Sequence, residues 1–153
     1  MAAEKGLPEG ANWLTPYLTV ADPDASLDFY QRAFGFERGF TMAGPQGKTV
    51  HGSMNYQGAT LLMFGPEGMG NNSDMRTPAH GGTEIPINLY VYCPDVDALS
   101  ARARDAGAEV LAEPEDMFWG DRMVLLRDPD GYLWSFATKV GEFDPSRVPE
   151  GMS

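Results

Sequence analysis

The chain has 153 residues, of which 42% are hydrophobic and 22% are charged, as expected for one globular domain or two small modules. Its net charge of −11 argues against a nucleic-acid partner, because the phosphate backbone requires a basic surface. No apolar run has the length of a membrane span and the N-terminal residues do not resemble a signal peptide, so we expect a cytoplasmic protein without a membrane partner. The single cysteine, Cys93, lies in an apolar run and is predicted to be buried rather than catalytic.

Two segments of the chain, 17–37 and 89–109, follow the same pattern. Each begins with an alternating apolar run, continues through a Pro-Asp pair into apolar residues at helical spacing, and then reaches a glycine. Gly35 and Gly107 occupy the positions at which helices commonly end in a left-handed conformation. The pattern therefore predicts a strand followed by a helix, twice.

Three strand-like runs follow each predicted helix. The order predicts two βαβββ modules, at 13–64 and 85–138, with a connecting segment at 65–84 and an irregular tail at 139–153. The connecting segment is rich in Gly, Asn and Met, which is compatible both with a lid and with a plain linker. The predicted runs are 36–42, 48–56 and 59–64 in the first module, and 108–113, 121–128 and 132–137 in the second.

The strands at the ends of the two modules have one continuous apolar side. Their other sides lack Lys, Arg, Asp and Glu and mostly combine hydroxyl, amide and phenol groups with apolar side chains. A solvated sheet face would carry charged residues, so this composition favours the lining of a ligand pocket, with a tyrosine-rich core as the alternative. The candidate ligand-binding residues on these sides are Thr15, Tyr17, Leu62, Phe64, Asn88, Tyr90, Tyr92, Leu133 and Ser135.

Trp119 and Arg122 are two further candidate binding residues. Gly120 between them allows the backbone to approach another group closely, and an indole beside a guanidinium can stack on planar or cationic groups. In the alternative interpretation, the indole covers the end of the sheet and Arg122 pairs with Asp121 or Asp116.

The chain has two histidines. His51 lies on a predicted strand and could act as a general base, although a hydrogen-bonded structural role fits it as well. His80 and Glu84 lie in the connecting segment and could bind a metal as a pair, but no third ligand is evident.

Two stretches, "DFYQRAFGFE" at 28–37 and "RDPDGYLWSF" at 127–136, resemble the vicinal oxygen chelate superfamily. This superfamily includes glyoxalase I, extradiol dioxygenases, fosfomycin-resistance enzymes and bleomycin-resistance proteins. Residues 114–140 are most similar to its glyoxalase/bleomycin-resistance-like and PhnB-like branch. The resemblance implies an α+β fold in which two βαβββ modules form a curved, mixed and mostly antiparallel eight-stranded sheet, and it implies a homodimer.

In the metal-using members of the superfamily, a His or Gln, a Glu, a His and a second Glu hold a divalent ion. The resemblance places these four positions at Thr15, Leu62, Asn88 and Ser135. Divalent sites need His, Cys or carboxylate ligands, so we expect no metal cofactor and no metal-dependent glyoxalase or dioxygenase activity.

Three functional hypotheses follow. The first is a metal-free binding protein that holds a small cationic or aromatic molecule in a cup shared by the two modules, as bleomycin-resistance proteins do. The second is a lyase, isomerase or dioxygenase of the superfamily that uses a non-standard metal site or His51 as a base. The third is a protein-interaction module, which leaves the uncharged strand faces unexplained.

Overall fold

A computed structural model describes residues 5–70 and 73–152. The first four residues, residues 71–72 of the predicted connecting segment and the last residue of the predicted tail lie outside the described residues. The chain folds as two compact units, Met1–Gly82 and Thr83–Ser153. None of the helices in the described part has the length and hydropathy needed to cross a lipid bilayer.

The first unit contains a four-stranded sheet and one long helix. The strand order is β1-β4-β3-β2, with β1 parallel to β4 and the other neighbours antiparallel. A short helix follows in the predicted connecting segment. The elements are β1 (Tyr17–Val20), α1 (Pro23–Phe34), β2 (Glu37–Ala43), β3 (Thr49–Tyr56), β4 (Ala59–Pro66) and α2 (Pro78–Gly81).

The second unit repeats this topology with the strand order β5-β8-β7-β6. The predicted α+β fold with two βαβββ modules is confirmed, and the hydrogen bonds group its eight strands into two mixed sheets of four. The predicted irregular tail contains one turn of 3₁₀ helix at Pro145–Arg147. The other elements are β5 (Asn88–Tyr92), α3 (Val96–Asp105), β6 (Glu109–Asp116), β7 (Asp121–Arg127) and β8 (Leu133–Lys139).

The ends of both long helices are fixed by their own sequences. A carboxylate oxygen of Asp22 accepts from the backbone N–H of Asp24 at 3.0 Å, and Asp95 does the same for Ala98 at 3.0 Å. These bonds satisfy N–H groups that have no partner within a helix. At the other end of α1, Gly35 adopts the predicted left-handed conformation with φ 71°.

Each sheet buries one face against its long helix. In the first unit, Tyr30 of α1 lies 5.9 Å from the ring of Phe64. Each large side chain buried in this way contributes about 1.5–3 kcal/mol. The fully buried side chains include Tyr30, Phe34, Met54, Leu62 and Phe64 in the first unit, and Val96, Val124, Leu126, Trp134 and Phe136 in the second.

The turn before β8 is held by the buried carboxylate of Asp128. It accepts from the backbone N–H of Tyr132 at 2.9 Å and from the indole N–H of Trp134 at 2.9 Å. Trp134 in turn stacks on Phe136 with ring centroids 5.9 Å apart. Of the three aromatic residues expected on the helix side of this segment, Trp134 and Phe136 are completely buried, whereas Tyr132 is only half-buried.

The predicted orientation of β4 is wrong. Leu62 and Phe64 were expected on the side away from the helix, but both are completely buried in the core. Their neighbours Leu61 and Met63, which occupy the other side, are only half-buried. Because both sides of β4 are apolar, alternation alone could not distinguish the helix-covered side from the other.

Candidate functional site

The candidate site lies on the far face of the second sheet, meaning the side opposite α3. Strand pairing places both Tyr90 and Leu125 beside Ser135 on this face. Because side chains alternate along a strand, Tyr92 and Asp121 lie on the same face. A charged residue therefore lies on a surface that was expected to carry none.

Asp121 is 4% exposed and anchors a hydrogen-bonded group of aromatic residues. Its Oδ2 accepts from the hydroxyl groups of Tyr90 at 2.6 Å and Tyr92 at 2.9 Å. The indole Nε1–H of Trp119 donates to the Tyr90 hydroxyl at 3.3 Å. The three rings are 41–58% exposed, so a buried carboxylate lies behind aromatic side chains that a ligand can contact. These four residues are called the Asp121 cluster below.

The Asp121 cluster holds both phenols in their protonated form. Burial, together with the hydrogen bond to Asp121, raises the pKa of Tyr90 to about 12. The hydrogen bond to Asp121 is the main cause of the raised pKa of Tyr92. Both hydroxyl groups therefore remain donors to the carboxylate near neutral pH.

Arg122 follows Asp121 directly and reaches the helix side of the sheet. Its Nε lies 2.9 Å from Asp97 of α3, and its Nη1 lies 3.1 Å from Asp116. These two carboxylates raise the pKa of the guanidinium. Of the two ion-pair partners considered for Arg122, Asp116 is confirmed and Asp121 is not, so Arg122 does not share a face with the candidate site.

The four positions implied as metal ligands do not form a metal site. Asn88 donates to the Oγ of Ser135 at 2.7 Å, Leu62 lies in the core, and Thr15 precedes β1. An amide, two hydroxyls and an alkyl chain do not fit a divalent ion. Within residues 5–70 and 73–152, no group of three or more His, Cys, Asp or Glu could hold a metal.

His80 and Glu84, considered above as a metal-binding pair, have different partners. The Nδ1 of His80 lies 2.9 Å from Glu67, whereas Glu84 pairs with Arg127 at 3.0 Å. A hydrogen bond from the backbone of Thr77, followed by the one from His80, lowers the pKa of Glu67. This pairing fixes the start of α2 to the end of β4.

The far face of the first sheet, on the side opposite α1, carries Tyr17 and His51. The Tyr17 hydroxyl lies 3.3 Å from Nδ1 of His51. A methyl group at Gly65 would lie 2.8 Å from this hydroxyl, so the glycine makes room for the phenol. The phenol borders a cavity of about 600 Å³, lined also by Thr19, Val50, Gly65, Pro66, Met69, Gly70 and Met75.

The loop that contains Trp119 is hydrogen-bonded to the tail through Gly120. The carbonyl of Gly120 accepts from the backbone N–H groups of Val140 at 2.9 Å and Gly141 at 3.0 Å. With φ +98°, Gly120 is in the region that favours glycine, and a Cβ there would lie 2.5 Å from the Gly141 oxygen. The predicted close approach at Gly120 is therefore made by the tail.

Asp121 is the residue of this site that sequence reasoning missed. The expectation of an uncharged face rested on β1, β4, β5 and β8 and omitted β7. Counting back in steps of two from Leu125, which pairs with Ser135, would have placed Asp121 on the face. The other candidates on this sheet face, Tyr90, Tyr92 and Ser135, lie as expected, and Leu133 is half-buried on the same side.

Two βαβββ units, each a four-stranded mixed sheet with one long helix, form a glyoxalase-like scaffold, and the family comparison agrees. The model of the Glyoxalase/Bleomycin resistance protein/Dioxygenase superfamily matches residues 10–136, and the chain belongs to this superfamily.

Individual relatives support this assignment. The protein Mb0911c of Mycobacterium bovis is 37% identical over 142 residues, covering 92% of this chain and 91% of the relative. The anthracycline biosynthesis protein DnrV of Streptomyces peucetius is 32% identical over 126 residues, covering 75% of this chain but only 43% of DnrV. The crystal structure of TioX from Micromonospora sp. ML1 superimposes with a TM-score of 0.66 at 26% identity, covering 84% of this chain and 99% of TioX.

Proposed function

We propose that the protein binds a small, partly aromatic molecule on the far face of the second sheet, without a metal ion. The observation that carries the proposal is the Asp121 cluster, in which three partly exposed aromatic rings surround a buried hydrogen-bonding group. Ligand sites typically combine an apolar aromatic lining with a few fixed polar groups. Aromatic rings also provide a large contact area with few rotatable bonds to restrict.

The relatives indicate what kind of molecule to test first. DnrV is named for anthracycline biosynthesis, and the superfamily includes bleomycin-resistance proteins. Planar polycyclic molecules of the anthracycline class could stack on the rings of Tyr90, Tyr92 and Trp119. Sequestration of such a molecule, as in antibiotic resistance, is part of this proposal, as are membership of the PhnB-like branch and a homodimeric state.

Thermal unfolding in the presence of planar aromatic compounds, including an anthracycline, tests the binding. A ligand at 100 times its dissociation constant should stabilise the fold by about 2.7 kcal/mol. Trp119→Leu should weaken binding, whereas Trp13→Leu, at a 71% exposed tryptophan of the first unit, should not. Equal effects of the two substitutions, or no binding by any compound, would contradict the proposal.

Metal analysis tests the metal-free part separately. Protein purified without an affinity tag should contain far less than one Zn, Ni, Fe or Mn per chain, and EDTA should not change its unfolding temperature. A stoichiometric metal whose removal destabilises the protein would refute this part of the proposal.

A second candidate function is enzymatic, with His51 as general base. It is favoured by the 3.3 Å contact between His51 and Tyr17, whose phenol borders a cavity of about 600 Å³. Incubation of any ligand found by thermal unfolding, followed by mass spectrometry, should then reveal a product with the wild type and not with His51→Asn. An unchanged ligand with both proteins would leave binding as the function.

A further inference from the structure

We infer that the Asp121 cluster selects molecules that carry both an aromatic ring system and a protonated amine on a saturated carbon near it. This inference rests on the proposed function and names the ligand class for the same site. It requires a negative charge that the protein does not neutralise, an accessible acceptor atom, and rings that favour a cation.

The carboxylate of Asp121 has no cationic partner. Among residues 5–70 and 73–152, no Lys, Arg or His forms an ion pair with it. Lys139 pairs with Asp121 in strand register, but its Nζ lies 3.4 Å from Glu142. A buried charge is costly without a counter-ion, and here only two phenol hydroxyls compensate it. A ligand cation would supply the missing partner.

One oxygen of this carboxylate remains available to a ligand. Both tyrosine hydroxyls converge on Oδ2, and no group in the described part of the chain donates to Oδ1. In the same residues, no buried side-chain oxygen or nitrogen lacks a hydrogen-bond partner. Oδ1 is therefore not completely enclosed, although Asp121 as a whole is 4% exposed. An N–H group arriving from outside can donate to it.

The surrounding rings favour the same ligand chemistry. Tyr90 and Tyr92 meet edge to face with ring centroids 5.6 Å apart, and Trp119 bonds to the Tyr90 hydroxyl. Aromatic faces attract ammonium groups, and the net charge of −11 raises the local concentration of cations. The amine would therefore approach Oδ1 while the aromatic part of the ligand lies against the rings.

Matched pairs of probes separate charge recognition from aromatic binding. We suggest benzylamine, 1-naphthylmethylamine and daunorubicin, each compared with its N-acetyl derivative, which keeps the rings but loses the charge. At pH 7 each amine that binds should bind at least about tenfold more tightly than its derivative, since hydrogen bonds to charged groups contribute about 1.5–3 kcal/mol. Isothermal titration calorimetry gives both dissociation constants.

Two substitutions locate the preference. Asp121→Asn keeps the shape of the side chain and should reduce the amine preference to about threefold or less. Asp105→Asn removes the same charge from the exposed end of α3 and should leave the preference unchanged. If Asp121→Asn does not fold, Tyr92→Phe replaces it as the test. At this 58% exposed position, the loss of one donor to the carboxylate should increase the preference about twofold.

The outcomes distinguish this inference from the proposed function. Tight binding of amine and N-acetyl derivative alike would overturn the charge preference and leave the aromatic binding function intact. Failure of all six probes to bind would overturn both. If Asp121→Asn and Asp105→Asn reduce the preference for the amine equally, the preference comes from the overall negative charge and not from Asp121. If Tyr92→Phe leaves the preference unchanged, the amine binds elsewhere on the molecule.

Discussion

The two units use the same scaffold position differently. Tyr17 in β1 and Tyr90 in β5 occupy matching places, each on the strand that pairs in parallel with the last strand of its sheet. The hydroxyl of Tyr17 contacts the imidazole of His51, whereas that of Tyr90 donates to the buried carboxylate of Asp121. One repeated fold thus places an imidazole beside the tyrosine in one unit and a buried carboxyl group beside it in the other.

A second contrast lies on the helix side of the sheets. The carboxylate of Asp24, in the first turn of α1, accepts hydrogen bonds from the hydroxyl and the backbone N–H of Thr49. Asp97, at the matching position of α3, forms an ion pair with Arg122. Both contacts join a helix to the third strand of its module, once by hydrogen bonds and once by charge. The side-chain contacts therefore differ between the two units on both sides of the sheets, although the two units share one topology.

The largest expected effect concerns the two sides of β4, the last strand of the first sheet. Leu62→Ala should lower the free energy of unfolding by about 2–5 kcal/mol, because this side chain lies fully in the core. Leu61→Ala, one residue earlier on the half-exposed side, should cost less than half as much. Urea denaturation of both variants measures the difference. Equal losses would contradict the orientation of β4 described here.

The second-largest effect concerns the two hairpin turns, one before β4 and one before β8. The turn before β4 uses Gln57 and Gly58 at positive φ, whereas the turn before β8 depends on the side chain of Asp128. Asp128→Ala should cost about 1–3 kcal/mol, because the indole of Trp134 and the backbone of Tyr132 both lose this buried acceptor. Chemical denaturation followed by tryptophan fluorescence tests this, and a neutral result would contradict the role of Asp128.

Tyr90 should make the stability of the protein depend on pH in alkaline solution. The folded protein raises the pKa of Tyr90 from 10.0 to about 12, so its protonated phenol favours the native state below pH 10, and this contribution is lost as the pH rises to 12. Tyr90→Phe should flatten the decline in stability between pH 10 and 12. Absorbance at 295 nm should also lose a titration step near pH 12 in this variant. Persistence of that step would assign it to another tyrosine.

The smallest effect concerns the two helix contacts, which strong acid should weaken alike. Asp97 has a lowered pKa chiefly because of its hydrogen bond from Arg122, and Asp24 chiefly because of its hydrogen bond from Thr49. A lowered folded-state pKa stabilises the protein above the unfolded-state value near 4, and the contribution disappears as the pH falls through the folded-state value. Asp97→Asn and Asp24→Asn should therefore both converge with the wild type in strong acid.

Salt distinguishes the same two variants at pH 7. Roughly 1 M NaCl should remove most of the effect of Asp97→Asn, because it screens the exposed ion pair with Arg122. It should leave more of the effect of Asp24→Asn, which loses hydrogen bonds to an uncharged residue. Identical salt responses in denaturation experiments would contradict the proposed difference.

The repeated sequence pattern was sufficient to predict both modules. The alternation of apolar residues, the Pro-Asp pairs and the terminal glycines Gly35 and Gly107 are local signals, and every predicted strand and both long helices are present. Face assignment succeeded where the two sides of a strand differ in polarity, as at Tyr90 and Tyr92. It failed at Leu62 and Phe64, because the pairing of β4 with its neighbours fixes its orientation.

The candidate site was only partly predictable for a similar reason. Tyr90, Tyr92 and Trp119 were assigned from their chemistry. Arg122 was named with them although it pairs with Asp97 and Asp116 on the helix side, and Asp121 was omitted. Adjacent residues of a strand point to opposite sides, so a one-residue difference exchanges a structural ion pair for a site residue. Only the register between β7 and β8 shows that Asp121 lies on the far face of the sheet and Arg122 on the helix side.

The backbone hydrogen bonds between Gly120 and the tail matter for protein engineering. Because the backbone N–H groups of Val140 and Gly141 bond to the carbonyl of Gly120, the tail fixes the backbone next to Trp119. Replacing Gly120 with a larger residue should displace the Trp119 loop and lower the unfolding temperature together, because the new Cβ would meet the Gly141 backbone at a strained φ of +98°. A redesign of ligand preference could therefore vary the tail sequence and leave the aromatic residues untouched.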